Sequence, residues 1–229
     1  MANQLTSLRA WLRDTRDSVR FHLHQPDWDS VLSDTLPFGD MAQSRFQDLI
    51  ARSKQYLEYG AGASTIYAAK LGIPLVSIES DERFLRAVKE KCARPSLLGR
   101  RAPMTFIHGD IGATGPWGKP ILPSLARPRR WSNYPMAPWE TLGSSFRADL
   151  ILIDGRFRVA CALAVMLKQP EGHWTLLVDD YLDRPEYQCI EEYADLVNMH
   201  GRMAEFVARS SVNVSRISSS LQTFLTDWR

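Results

Sequence analysis

Apolar and polar positions follow two different rhythms along the chain. In the N-terminal part, Leu5, Leu8, Leu12 and Val19 recur at helical spacing and predict one helix. From residue 55 onward, short apolar runs alternate with segments that carry an apolar helical face. The apolar runs predict seven strands, at 55–59, 74–79, 104–108, 148–154, 175–178, 204–208 and 222–225. This alternation predicts βαβ units and an α/β fold, a doubly wound, mostly parallel sheet with right-handed crossovers.

The segments around these strands predict helices and one loop. Helices are predicted at 41–52 and 65–71, then after Asp81 as N-cap, and then with Val159 and Leu163 on a buried face. A later helix is predicted from the spacing of its apolar residues, which are Tyr187, Ile190, Ala194 and Val197. The Ser-rich stretch that precedes the last predicted strand, residues 209–220, is predicted to be a loop.

The chain divides into an N-terminal extension and one larger domain. Residues 1–40 are predicted to form a helical extension, and residues 41–229 the α/β domain. Residues 111–147 form an insertion, because connections in α/β units usually have about 2–6 residues. The insertion contains six of the 13 prolines, three of the seven tryptophans, and five basic residues against one acid.

Composition narrows the class of protein. The chain has 229 residues, 45% of them hydrophobic, and 28 basic residues against 26 acidic ones, which disfavours a dedicated nucleic-acid binder. The charged N-terminal residues do not resemble a signal peptide, and no apolar run reaches the ~18–20 residues of a membrane span. Cys92, Cys161 and Cys189 lack metal or redox spacing. We therefore expect a cytoplasmic protein with reduced thiols and no membrane contact.

Acids and glycines stand at the ends of the predicted strands. Ligands of open α/β sheets bind beyond these carboxyl ends, so these residues are the candidates for a site. Gly60 and Gly62 leave the turn after the first strand free of side chains, and the following helix presents free N–H groups there. Glu79 is positioned to accept the hydroxyls of a ribose, and Asp110 to accept an adenine amino group. The pattern predicts a ligand that contains adenosine.

These motifs resemble those of the class I S-adenosylmethionine-dependent methyltransferases. Residues 58–64 resemble the glycine-rich first motif, 76–79 the second, Gly109 and Asp110 the third, and 148–154 the fourth. The resemblance implies a Rossmann-like, seven-stranded sheet with an antiparallel last strand. It implies S-adenosyl-L-methionine as cofactor, with Glu58 at its methionine part. The implied cofactor-binding residues are Glu58, Gly60, Ala61, Gly62, Ser64, Glu79, Asp110 and Asp154.

A nicotinamide dinucleotide is the alternative ligand for the glycine loop. The dinucleotide fingerprint requires a glycine where this chain has Thr65. The Glu58 carboxylate would also repel a pyrophosphate, whereas it suits the ammonium group of a methionine moiety. The sequence therefore favours S-adenosylmethionine.

Three carboxylates follow two successive strands and suggest catalysis or a metal. Asp154 ends one strand, and Asp179 and Asp180 end the next, which brings them together near the cofactor. Oxygen ligands of this kind suit a hard divalent cation such as Mg²⁺. The segments resemble small-molecule O-methyltransferases of the catechol and caffeoyl type, in which an amide stands at the position of Asp180. Alternatively, Asp179 is a cap, Asp180 is solvated, and Asp154 touches only the cofactor.

Several further residues are candidates for substrate binding or proton transfer. Arg156 and Arg158 are expected either to bind an anionic substrate or to pair with nearby acids. Related families carry a histidine where this chain has Phe157, so a base is missing there. His108 is an alternative base, although a structural role is the simpler interpretation.

The insertion predicts a lid or wall over the substrate side of the site. Stacking surface would come from Trp117, Trp131, Tyr134 and Trp139, and Tyr181 after the fifth strand is a further candidate for substrate binding. The arginines at 127, 129 and 130 would supply a positive field. Alternatively, the aromatic residues pack on the body, the arginines are solvated, or the segment forms a dimer contact.

The function predicted from these features is methyl transfer from S-adenosylmethionine to a small molecule, at an oxygen atom. We expect the acceptor to be anionic or aromatic, and the protein to form a homodimer and to bind no nucleic acid. Two alternatives stay open. One is a methyltransferase-like protein that binds the cofactor without turnover, and the other is an aminopropyl transferase.

Overall fold

The fold is a seven-stranded α/β sheet with helices on both faces. The computed structural model describes residue 12 and residues 15–94, 102–121 and 128–229. The strands are β1 Tyr56–Tyr59, β2 Leu75–Glu79, β3 Met104–His108, β4 Leu150–Ile153, β5 Thr175–Val178, β6 Ala194–His200 and β7 Met203–Ala208. Their order is β3-β2-β1-β4-β5-β7-β6, and β7 is antiparallel to both of its neighbours. The predicted fold class is confirmed. The implied antiparallel last strand is present as β7, at 203–208 and not at the predicted 222–225.

Helices connect and flank these strands. The α-helices are α1 at 15–23, α2 Trp28–Val31, α3 Asp40–Ile50, α4 Ala63–Leu71, α5 Glu82–Cys92, α6 Pro128–Trp131, α7 Asn133–Leu142, α8 Arg158–Lys168 and α9 Val214–Phe224. Pro185–Glu192 forms a 3₁₀ helix. Asp81 caps α5 as predicted, since its carboxylate accepts the N–H groups of Arg83 and Phe84. No helix in the described ranges is long and apolar enough to cross a membrane.

The continuous apolar runs follow from a sheet that is buried on both faces. In β4, Ile151 and Ile153 face a core shared with α7, α8 and α9, while Leu150 and Leu152 face a core shared with α3, α4 and α5. Successive side chains of a strand point to opposite faces, so a strand between two helix layers must be apolar at every position.

Two predicted elements near the C-terminus are wrong. The helix predicted from Tyr187 to Val197 is a 3₁₀ helix followed by the edge strand β6, on which Val197 is exposed. The strand predicted at 222–225 belongs to α9, which also includes much of the Ser-rich stretch. Asn213 caps α9, and Ile217 and Leu221, four residues apart, are buried against the core. This helical spacing outweighs the low helix propensity of the serines.

The insertion at 111–147 fills the helix layer between β3 and β4. Trp131, Tyr134 and Trp139 of α6 and α7 are buried in the core, so they pack the segment on the sheet. A small hairpin at 113–121 carries the remaining tryptophan, Trp117. Residues 122–127, including the arginine at 127, and the side chain of the arginine at 129 lie outside the described residues.

The N-terminal extension packs on the hairpin of the insertion. His22 on α1 lies 3.1 Å, through Nδ1, from the main-chain oxygen of Thr114. Gln25 donates a 2.7 Å hydrogen bond to Asp81, whose carboxylate also accepts the Thr114 hydroxyl at 3.0 Å. The division into an extension and a domain stays a prediction. Cys92, Cys161 and Cys189 are all free thiols.

Candidate functional site

The candidate site lies where the strand order reverses, between β1 and β4. From β1 the chain runs outward through β2 to β3 and then returns to β4 on the other side of β1. The loops that leave the ends of β1 and β4 diverge at this point and open a crevice beyond the carboxyl edge. The loop after β1 and the acids after β2, β4 and β5 all lie at this edge.

The glycine loop is packed tightly on one side and open on the other. Gly60 has φ +100°, and a Cβ there would lie 2.7 Å from the Gly155 nitrogen in the loop after β4. Any other residue would be strained and would push these two loops apart. Around Gly62, in contrast, no atom of the described residues, apart from its chain neighbours, lies within 4 Å of the position of a Cβ. The loop therefore contacts the end of β4 and leaves room for a ligand at Gly62.

Glu58 lies beneath this loop and is fully buried. Its carboxylate accepts hydrogen bonds from the hydroxyls of Tyr56 at 2.9 Å, of Ser64 at 2.7 Å and of Thr65. Burial raises the pKa of Glu58, and these hydroxyls oppose that rise. Ser64 and Thr65 belong to the first turn of α4, so Glu58 holds this helix against the sheet. A contact between Glu58 and the cofactor stays a prediction.

Glu79 joins the glycine loop to the end of β2. One carboxylate oxygen accepts the N–H of Ala61 at 3.1 Å, and the other accepts the N–H groups of Ser80 at 2.6 Å and Asp81 at 2.9 Å. Burial raises the pKa of Glu79, and these donors oppose the rise. The Ser80 hydroxyl also donates to Glu79, so every donor that the described residues give this carboxylate is neutral. Because Ala61 lies next to Gly62, Glu79 borders the open side of the glycine loop. A ribose contact of Glu79 stays a prediction.

Asp110 and His108 lie at the end of β3. Asp110 accepts the N–H of Gly112 at 3.0 Å and forms an ion pair with Arg130 of the insertion. Burial tends to raise the pKa of Asp110, but the Arg130 guanidinium and the Gly112 N–H lower it overall. His108 is exposed, with Nε2 3.3 Å from the main-chain oxygen of Ser80. Arg130 thus acts on a site acid, while the adenine contact of Asp110 stays a prediction.

Asp154, Asp179 and Asp180 converge as the sequence predicts. Each offers one carboxylate oxygen, and these three oxygens lie within 4.8 Å of one another. β4 and β5 are adjacent and in register, so the residues that follow Ile153 and Val178 meet at the edge. Burial raises the pKa of Asp154 to about 7. Arg158 and Arg202 limit that rise, and the neighbouring carboxylates add to it.

Two guanidinium groups lie within this carboxylate cluster. Nη2 of Arg158 is 3.1 Å from a carboxylate oxygen of Asp154 and 3.1 Å from one of Asp180. Arg202 binds Asp179 through two hydrogen bonds of 3.0 and 2.7 Å, and its Nε is 3.1 Å from Asp180. Of the two alternatives for Arg158, the structure thus shows pairing with acids. The cluster as a whole carries three negative and two positive charges, which does not fit a divalent cation.

Arg202 is the functional residue that the sequence analysis missed. It lies in the turn between β6 and β7, far from the strand-end motifs in sequence. Because β7 runs antiparallel to β5, its first residues pair with the last residues of β5, as Ala204 does with Val178. The turn before β7 therefore reaches the carboxyl edge. The resemblance implied an antiparallel last strand, but the prediction placed that strand at 222–225, so it did not point to this turn.

Arg156 differs from Arg158 in that no carboxylate pairs with it among the described residues. Its Nε is buried and has no hydrogen-bond partner there. The Tyr187 hydroxyl, also buried, has no partner either. Burial and the nearby charge of Arg158 lower the pKa of Arg156, while Tyr187 raises it. An unpartnered buried donor is costly, so this position favours a ligand that brings an acceptor.

Trp117 projects from the hairpin next to Glu79. Its side chain is 82% exposed, and its backbone has φ +63°. The following residue, Gly118, accepts the Ser80 hydroxyl at 3.2 Å, and a Cβ on it would lie 3.2 Å from a Glu79 oxygen. The described ranges contain two other non-glycine residues with positive φ, Phe157 after β4 and Asp180 after β5. Backbone strain therefore concentrates in the loops at this edge.

The two other predicted substrate contacts lie deeper. Trp139 is 4% exposed, packs against Phe146, and donates its indole N–H to the Phe146 carbonyl. It is part of the core, and its position gives no support to a substrate contact. Tyr181 is mostly buried and donates a 2.6 Å hydrogen bond to Glu191. A role for Tyr181 in substrate binding stays a prediction.

Comparisons with known proteins agree with this architecture. A methyltransferase-like protein from Silicibacter pomeroyi is 34% identical, with a TM-score of 0.74; the match covers 84% of this chain and 97% of that one. A proposed caffeoyl-CoA O-methyltransferase from Staphylococcus aureus is 14% identical (TM-score 0.46, covering 86% and 99%). An SAH-bound methyltransferase from Podospora anserina is 15% identical (TM-score 0.47, covering 90% and 96%). No family model and no curated protein matches the chain.

Proposed function

The chain belongs to the class I S-adenosylmethionine-dependent methyltransferase superfamily, and we propose that it transfers a methyl group from S-adenosylmethionine to an oxygen of a small-molecule acceptor. The observation that carries this proposal is the meeting of three loops at the switch point. The loop with Gly60 and Gly62 touches Glu79 on one side and the Asp154–Gly155 turn on the other. A cofactor over the loop would thus lie between a ribose acceptor and a carboxylate.

The cofactor half of the site suits a ligand that carries hydroxyl groups. From the described residues Glu79 receives four neutral donors, three at Oε1 and one at Oε2. One ribose hydroxyl would bind the remaining lone pair of Oε2, and a second would replace the Ser80 hydroxyl at Oε1. Gly62 leaves space for the ligand, and Asp110 and Trp117 border the adenosine side. When bound, S-adenosylmethionine supplies a methyl group that its positively charged sulfur has already activated.

The remaining chemical task is removal of a proton from the acceptor, which we assign to Asp154. A carboxylate with a pKa of about 7 is a suitable general base near neutral pH. Arg158 holds one oxygen of Asp154, whereas Oδ2 accepts no hydrogen bond from the described residues. This free oxygen would take the hydroxyl proton as the acceptor oxygen attacks the methyl carbon.

Arg156 supports an acceptor that carries an anionic group. It follows Asp154 by two residues, and its buried Nε lacks a partner in the described part of the chain. A carboxylate on the acceptor would satisfy this nitrogen and place a neighbouring hydroxyl near Asp154. An aminopropyl transferase would instead need free carboxylates for a polyamine, and here the cluster is already paired with two arginines.

Calorimetric titration with S-adenosylhomocysteine tests the cofactor assignment. We expect wild-type protein to bind, and Glu79→Ala to bind roughly 100-fold more weakly, since two charge-assisted hydrogen bonds are lost. Glu82→Ala is the matched control, because Glu82 is an exposed acid three residues away. Binding of NAD alone, or an unchanged affinity in Glu79→Ala, would contradict the assignment.

A second experiment tests turnover. Formation of S-adenosylhomocysteine is measured with hydroxyl acceptors that do or do not carry a carboxylate, and with amines. We expect turnover with hydroxybenzoate-type acceptors and a preference over uncharged phenols. Cofactor binding without any turnover would favour the binding-protein alternative, and turnover of decarboxylated cofactor with a polyamine the aminopropyl transferase.

A further inference from the structure

We propose that Arg158 takes the place of a divalent cation in this site, so that the three-carboxylate cluster works without metal. The structural part of this inference stands on the cluster alone, while its catalytic consequence rests on the proposed function. Arg158 touches all three acidic residues at once, through the carboxylates of Asp154 and Asp180 and the main-chain oxygen of Asp179. A metal ion at the centre of the cluster would have to occupy the space that the Arg158 guanidinium fills.

The guanidinium is fully committed to this position. Its Nε donates to the Gly155 carbonyl at 3.1 Å, and its Nη2 also donates to the Asp154 carbonyl at 3.2 Å. Together with the contacts to the acids, these bonds engage all three guanidinium nitrogens, Nε, Nη1 and Nη2. The side chain is 4% exposed, so it cannot turn outward into water without losing every partner.

Backbone strain on both sides of this ion pair supports a specific role for Arg158. Phe157, the residue before Arg158, has φ +54°, and Asp180 has φ +55°. Left-handed conformations of non-glycine residues cost about 1–3 kcal/mol each and persist only where other contacts hold them. Two such residues bring Arg158 and Asp180 to the same point. The turn before α8 is therefore shaped to aim Arg158 into the cluster.

A dication would have to displace this arrangement. If Arg158 stayed, the ion would face a guanidinium at contact distance, with a second one from Arg202 beside it. If Arg158 left, a buried cation would lose its partners, which is strongly destabilising. The metal is thus excluded by charge and by volume.

For catalysis, Arg158 acts as a positioning residue. It fixes one oxygen of Asp154 and leaves Oδ2 free for the acceptor proton. A metal-dependent enzyme would lower the pKa of the acceptor by direct coordination, whereas here the acceptor proton goes to a carboxylate whose orientation a guanidinium sets.

The test is calorimetric titration with Mn²⁺ and Mg²⁺ into the wild-type chain, Arg158→Ala and Arg202→Ala. We expect no stoichiometric binding of either ion to wild type at millimolar concentration. Arg158→Ala should bind one Mn²⁺ per chain, with an affinity at least 10-fold higher than any weak binding to wild type. Arg202→Ala removes the same charge but leaves Arg158 in place, so it should behave like wild type. One bound ion in wild type, no gain in Arg158→Ala, or an equal gain in Arg202→Ala would each overturn the proposal.

A second measurement does not depend on the folding of Arg158→Ala. Wild-type protein treated with EDTA should keep its thermal midpoint and its affinity for S-adenosylhomocysteine. Addition of about 10 mM Mn²⁺, roughly tenfold above a weak dissociation constant of about 1 mM, should leave both unchanged. A rise of the midpoint with Mn²⁺ that EDTA reverses would contradict metal exclusion. Failure of S-adenosylhomocysteine to bind in all conditions would instead contradict the proposed function and leave the metal result intact.

Discussion

The two halves of the carboxyl edge hold their acids in opposite ways. In the half formed by β1 and β2, Glu58 and Glu79 receive hydroxyl and backbone N–H donors, and no cation from the part of the chain that the structure describes. In the half formed by β4 and β5, Asp154, Asp179 and Asp180 face two guanidinium groups.

This contrast separates the two tasks of the site. Neutral donors leave the charge of Glu79 available to ligand hydroxyls, which suits binding. The guanidinium groups offset the charge of the second cluster, and one oxygen of Asp154 stays free. Each half is therefore open to mutation without direct damage to the other.

The largest expected effect is on stability, from loss of the buried cation. Arg158→Met should lower the free energy of unfolding by about 3–5 kcal/mol, because the carboxylates of Asp154 and Asp180 lose their shared partner. Urea denaturation measures this loss. Arg216→Met, which breaks an exposed ion pair with Glu192, should cost at most about 1 kcal/mol. Equal losses in the two variants would show that the second half is not held by its cation.

The next effect separates turnover from binding. Asp154→Asn should reduce kcat by about 10²–10⁴-fold, since the general base is lost. Affinity for S-adenosylhomocysteine should stay within about threefold of wild type, since the cofactor half is intact. Asp195→Asn, at an exposed acid on β6, is the control. A kcat within a few fold of wild type in Asp154→Asn would remove Asp154 from the chemistry.

The pH dependence follows from the raised pKa of Asp154. In the proposed mechanism the deprotonated form of Asp154 is the base, so kcat should rise with pH and level off above about 7. For stability the sign is opposite. A carboxyl pKa above its unfolded value means that the folded state binds the proton more tightly, so this contribution falls as pH rises from about 4 to about 7.

The control for this pH effect compares the stability of the wild type with that of Asp154→Asn. Stability curves of wild type and Asp154→Asn, measured from pH 4 to pH 8, should diverge in that direction and become parallel above pH 7. Parallel curves throughout would mean that Asp154 titrates near its ordinary value.

The smallest effect concerns Trp117. Trp117→Gly should be about 1 kcal/mol more stable than Trp117→Ala, because only glycine accepts φ +63° without strain. Both variants lose the ring, so both should bind S-adenosylhomocysteine more weakly by the same factor of about 3–10 if the indole stacks on adenosine. Affinities equal to that of wild type would make the exposed indole irrelevant to the cofactor.

Local sequence patterns were sufficient to predict most of the fold. The apolar runs located β1 to β5 and β7, because a strand covered on both faces must be apolar throughout. β6 was not predicted as a strand, because it is an edge strand with Val197 exposed. The serines of α9 led to the wrong prediction of a loop, because a cap at Asn213 and two buried aliphatic residues stabilise a helix there.

The part of the site that lies at strand ends could be predicted from the sequence, because the end of a strand is a local feature. The positions of Gly60, Glu79 and Asp154 follow from where each strand stops. The pairing of the acids does not, because Arg202 arrives from a turn 23 residues after Asp179, and its approach depends on strand direction. The choice of partner for Arg158 likewise depends on the strained turn at Phe157.

The antiparallel direction of β7 also has a consequence for the order of folding. The turn that carries Arg202 reaches Asp179 only when β7 has paired with β5 and β6 has closed the edge. Until then, the parallel core presents its acids with one counter-ion fewer. A nascent or partly unfolded chain therefore has a more negative active-site edge than the native protein, and the Arg202–Asp179 pair reports that the last strand is in place.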